Sequence, residues 1–155
     1  RAAEGHEPVL RFEVADEGAA AVTLASGRLT LAGVGLRVGP GVATLFAVAP
    51  GATLELDGVM LERGEPVASS DASDEGVLVR VGQARGRTPP ARLVFRDVQA
   101  LGRGSCLVVG PAAAATVEWN GGGCAFDGRF LRLEGGPRDG GETKVDLVVG
   151  DATIA

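Results

Sequence analysis

The 155-residue chain has no tyrosine, one tryptophan, one histidine, one lysine and two cysteines. Each scarcity removes a class of chemistry. His6 is the sole imidazole and lies in a polar N-terminal stretch, so a Ser/His/Asp or Cys/His arrangement has only that residue to build on. Cys106 and Cys124 are eighteen positions apart with no CxxC, which argues against zinc. Alternation puts Cys106 on the outward side beside Leu107 and Cys124 on the inward side, so the two read as free thiols. No apolar run approaches the roughly 18 to 20 residues of a spanning helix, and no membrane insertion is expected. Fifteen basic against twenty acidic residues leave a net charge of −5, with no general attraction to nucleic acid. The i, i+3, i+4 pattern of an amphipathic helix is also missing.

What is there is glycine, 25 residues of it, between short runs of alternating apolar residues. Such alternation predicts an all-β domain. The runs repeat. Leu29-Thr-Leu31-Ala-Gly33-Val34-Gly-Leu36 aligns with Leu54-Glu-Leu56-Asp-Gly58-Val59-Met-Leu61, with Leu93-Val-Phe95-Arg-Asp97-Val98-Gln-Ala100 and with Val117-Glu-Trp119-Asn-Gly121-Gly122-Gly-Cys124. A looser fifth copy starts at Val145-Asp-Leu147. The unit is about 24 residues, with one long insertion before the third copy. Each copy follows another alternating piece: Val22-Thr-Leu24, Phe46-Ala-Val48, Val79-Arg-Val81, Leu107-Val-Val109 and Leu131-Arg-Leu133. Three short strands per repeat follow. Leu31, Leu56, Phe95, Trp119 and Leu147 form one inward column, and Leu29, Leu54, Leu93, Val117 and Val145 another. If each strand pairs in parallel with its equivalent one repeat later, these columns become continuous buried stacks, which predicts a parallel β-helix of about five turns, roughly 24 Å long. The alternative is an antiparallel β-sandwich, the commoner home of short strands with glycine-rich turns.

On these repeats, from Val22 to Leu147, the chain resembles right-handed parallel β-helix domains of the pectin-lyase-like superfold. Its Ala, Gly, Arg and Val bias, with a single lysine, is similar to β-helix regions of large multidomain bacterial proteins. That likeness implies one domain over residues 1–155 taken from a longer chain, with residues 1–8 as an N-terminal cap or linker. It implies a non-catalytic scaffold or interaction module, whose partners are other domains of the same chain or another protein. The superfold also houses enzymes of acidic and neutral polysaccharides, so a carbohydrate-binding or polysaccharide-degrading protein is the alternative.

The candidate residues are few. Outward positions of the first strands read Thr23, Ala47, Arg80, Val108 and Arg132, an arginine face without an acid. Those of the second strands read Thr30, Glu55, Val94, Glu118 and Asp146, which predicts Glu118 and Asp146 side by side near 4.8 Å. That is close to the carboxyl spacing of retaining glycosidases, although acids on an outer sheet face are ordinary. Arg85 and Arg87, with Arg80 and Arg132, make guanidinium forks for a carboxylate, sulfate or phosphate, but no aromatic interleaves them. Glu65, Asp71, Asp74 and Glu75 offer oxygen ligands for calcium from one loop. Their spacing matches neither an EF-hand nor a glycine-rich calcium nonapeptide, so a solvated acidic loop is the first reading. No cofactor is expected. Trp119, among Leu and Phe in its column, reads as core and not as a sugar platform.

Overall fold

The computed structural model describes residues 8–13, 20–39, 41–64, 76–83, 88–135 and 142–155. Twelve strands run through them in chain order: β1 (Val9–Phe12), β2 (Ala20–Leu24), β3 (Arg28–Ala32), β4 (Gly35–Val38), β5 (Thr44–Val48), β6 (Thr53–Asp57), β7 (Met60–Arg63), β8 (Val77–Val81), β9 (Ala91–Val109), β10 (Ala114–Leu133), β11 (Lys144–Gly150) and β12 (Thr153–Ile154). Among the described residues there is no helix. All twelve strands belong to one sheet, which curls into a nearly closed, barrel-like shape. Every strand pairing among the described residues is parallel, and this removes the antiparallel sandwich.

The pairs join each segment to one a repeat later. Ala91 lies beside Ala115, and across the long insertion Thr53 lies beside Arg92. Two of the inward columns follow the repeat through four copies: Leu29, Leu54, Leu93 and Val117, then Leu31, Leu56, Phe95 and Trp119. A third passes through Leu10, Leu36, Leu61, Ala100, Cys124 and Ile154. Apart from Leu10 and Ile154, which are 47% and 41% exposed at the ends of the third column, these side chains pack in one apolar core, with Trp119 only 2% exposed and edge-on to Phe95 at 4.9 Å between ring centres. The chain turns between the second and third strand of each repeat through a residue of left-handed conformation: Gly33, Gly58, Asp97, Gly121 and Asp151, with φ of 56°, 56°, 49°, 76° and 49°. Glycine takes that conformation freely, and Asp is among the residues that tolerate it best.

That bend corrects the fifth copy. The predicted alignment puts Val145 on Val117, but the observed one puts Leu147 on Val117 and Val149 on Trp119. Counting from Val145 would place Val149 at the bend, and a β-branched residue fits φ > 0 poorly. Counting from Leu147 places Asp151 there.

Cys106 is a second correction. It is 3% exposed and belongs to the core, not to the outer face. Strict alternation fails along this column, because Leu45 and Phe46, Leu78 and Val79, and Cys106 and Leu107 are consecutive pairs buried together. The paired registers run Thr44, Val77, Ser105 and Phe46, Val79, Leu107, skipping the residue between them, so the strands bend there and turn it inward.

Candidate functional site

The outer face carries the charged residues, and three clusters stand on it. In the first, the first-strand column reads Thr23, Ala47, Arg80, Val108 and Arg132, as the alternation predicts. Alternation misses the carboxylate that comes with it. Glu134, just past the end of β10, accepts from Arg80 Nη1 at 2.8 Å with one oxygen, and its other oxygen lies 3.4 Å from Arg132 Nη2. Its backbone N–H donates to the Val109 carbonyl, and its carbonyl accepts from the Thr143 hydroxyl at 3.2 Å. The same hydroxyl accepts from Ala112 N–H at 3.1 Å and has Gly110 O at 3.3 Å as the alternative acceptor for its single proton, which ties the segment after β10 to the bend before it. The two arginines that the alternation left without an acid are thus paired with a carboxylate of the same chain.

The second cluster lies on the second strands. Glu118 sits in the column of Glu55 and Val94, as predicted, but the register correction moves Asp146 away from it. Thr116 is the neighbour of Asp146, and Val148 is the neighbour of Glu118. The two residues are diagonal neighbours on adjacent strands instead of side by side. Glu118 Oε1 accepts from Arg92 Nη2 at 2.9 Å. Two repeats earlier Glu55 has Arg28 at 3.7 Å and accepts from the Thr30 hydroxyl at 3.3 Å. Arg28 and Arg92 stand in the column next to that of the acids, so each ion pair runs diagonally across the sheet.

The third cluster is on the third strands and was not singled out by the sequence. Arg11, Arg37 and Glu62 are register neighbours on β1, β4 and β7. Arg37 Nε donates to Glu62 Oε2 at 3.0 Å, and Arg11 has Glu13 at 3.7 Å. These four side chains, with Val38 and Gly39, line an open groove of about 470 Å³. The signal that could have found it is the polar column Arg37, Glu62 between the inward residues Leu36, Val38 and Leu61, Arg63.

Arg63 breaks that alternation of polar outside and apolar inside. It is 7% exposed, with its guanidinium donating to the Val42 carbonyl and to Val77 O at 3.4 Å. Burial pushes its pKa down. Its side chain fills the space that a Cβ on Gly76 would need, at the place where the long insertion leaves β7 and rejoins β8. Its role is to satisfy carbonyls exposed by that interruption.

Glu65, Asp71, Asp74, Glu75, Arg85 and Arg87 lie outside the described residues, as does His6. Among the described residues no three His, Cys, Asp or Glu side chains gather to hold a metal. No protein-family model, curated protein or solved structure matches the chain.

Proposed function

We propose that this chain is a right-handed parallel β-helix of about five turns, of the pectin-lyase-like kind, serving as a non-catalytic scaffold or interaction module of a larger bacterial multidomain protein. The winding is supported by parallel pairing of every strand with its equivalent in the next repeat, and by the recurring left-handed bend before each third strand. The observation that carries the non-catalytic reading is the condition of the outward acids. Glu55, Glu62, Glu118 and Glu134 each face an arginine, and the one carboxylate pair suggested by the repeat is out of register. A surface of neutralised diagonal pairs suits contact with another protein surface of mixed charge.

A carbohydrate-binding or polysaccharide-degrading module is the second reading. The groove of Arg11, Glu13, Arg37 and Glu62 favours it, because it is concave and offers both donors and acceptors to hydroxyl groups.

Incubation with a panel of neutral and acidic polysaccharides, with and without calcium, separates the two. The scaffold reading expects neither retention on the polymers nor release of new chain ends. New ends that vanish in Glu118→Gln or Asp146→Asn would overturn it in favour of an enzyme. Retention without cleavage, lost in Arg37→Ala, would overturn it in favour of a carbohydrate-binding module.

A further inference from the structure

The exposed apolar surface gathers at two open edges of the sheet. One edge is formed by β1, β2 and β3, the other by the last part of β10 (residues 128–133), β11 and β12, and among the described residues each of these pieces pairs on one side only. All the large apolar side chains exposed among the described residues, apart from Met60 and Leu101, lie on these strands. Half-buried members of the core lie there too, such as Leu29 and Leu31 on the first edge and Leu131 and Val145 on the second. Unpaired backbone beside apolar side chains is a template for a further strand.

What fits each edge is the other edge. Carrying the observed register one repeat further puts a second copy's Leu29 beside Leu147 and its Leu31 beside Val149. On the first strands it puts the second copy's Val22 beside Leu131 and its Leu24 beside Leu133. Each inward column then continues, apolar on apolar. Outside, the second copy's Arg28 falls beside Asp146, about one strand spacing of 4.8 Å away. Glu55 and Glu118 have arginines within the chain, whereas Asp146 has no ion pair among the described residues, and the Arg28 side chain is 64% exposed. An opposite charge is thus supplied to the one acid in that column that lacks it. The left-handed bends match as well, Asp151 at φ 49° beside the second copy's Gly33 at φ 56°.

We propose that this chain associates head to tail with copies of itself, the edge of β1, β2 and β3 in one copy adding to the edge of β10 and β11 in the next. In this register the second copy's β1 takes the place of β12, with its Leu10 beside Cys124 where Ile154 now stands. β12 is the weaker occupant. It holds β10 through two register pairs and the bond from Ala155 N–H to Cys124 O, whereas β1 is already anchored to β4 by four pairs. Because the two edges are different surfaces, each contact leaves one of each kind free, and growth continues past the dimer. The inference rests on the strand pairing and is independent of the scaffold reading.

Sedimentation velocity from micromolar to millimolar protein, with hydrogen exchange at both ends of that range, tests it. In dilute protein the edges exchange as open strands. At high concentration the average mass should climb beyond that of a dimer, while amides of β3 and β11 slow together and those of β12 speed up. A monomer throughout would overturn the proposal. So would a plateau at the dimer with β11 slowed and β3 unchanged, the mark of two like edges meeting. Leu147→Lys points a charge into the continued column and should weaken association about tenfold or more. Ile154→Asp loosens β12 and should strengthen it. Association unmoved by the first substitution, or weakened by the second, counts against the proposed register, and the wild-type series decides the matter even if either variant fails to fold.

Discussion

At the scale of single residues, Trp119 bears the most weight. It stacks in the column of Leu31, Leu56 and Phe95, meets Phe95 at 4.9 Å and Phe130 at 5.7 Å between ring centres, and donates its Nε1–H to the Gly121 carbonyl at 3.1 Å. The indole thus fills the core and ties it to the left-handed bend. Trp119→Ala is expected to cost about 3 to 5 kcal/mol, from lost burial and the cavity that remains. A denaturant titration of both proteins checks it, and a loss below about 1 kcal/mol would contradict the packing described here. Trp119 was legible as core because its column partners are Leu and Phe. Cys106 was not legible, because a single residue cannot reveal that its strand bends.

At the scale of elements, β9 and β10 are the centre of the structure and β11 is an edge. β9 and β10 pair along nearly their whole lengths, and each also meets strands of other repeats. Among the described residues β11 pairs only with β10, and Leu147, Val148 and Val149 on it are 39%, 59% and 40% exposed. Backbone amides of β11 should therefore exchange with solvent faster than those of Leu93–Phe95 in β9, by several orders of magnitude. Hydrogen exchange followed by mass spectrometry reads this. Equal protection would mean that something covers the β11 edge, such as a second copy, and a concentration series would then expose it. The register of β11 is also where the repeat misled. Val145-Asp-Leu147 and Leu147-Val-Val149 alternate equally well, so apolar pattern alone cannot choose between them. The choice came from the bend residue Asp151.

At the scale of the whole molecule, the fold consists of returns of the chain upon itself after one repeat or more. No helix and no hairpin supplies early local contacts among the described residues. Parallel pairing across 24 to 39 residues, as in Ala91 with Ala115 and Thr53 with Arg92, must close a loop before any ladder forms. Refolding from denaturant should accordingly take place in milliseconds to seconds or more slowly, never in microseconds. Stopped-flow fluorescence of Trp119 reports it, and a microsecond phase accounting for the full native signal would refute it. The same architecture lets some surface acids reach an arginine on another repeat, as Glu118 does with Arg92 and Glu134 with Arg80, beside local pairs such as Arg11 with Glu13.

The sequence by itself determined the all-β class, the repeat, two inward columns through four copies, and the outward column from Thr23 to Arg132. It could do so because alternation of period two and the bend residues are local properties, written at fixed spacing in the chain. Only the tertiary structure decided which carboxylates meet which arginines, that Arg63 is buried against carbonyl groups, that Glu118 and Asp146 are out of register, and that Cys106 lies in the core. Those contacts depend on where strands bend and on how loops of unequal length rejoin the sheet. Both are settled by close packing among residues 14 to 54 positions apart, a distance over which no local pattern extends.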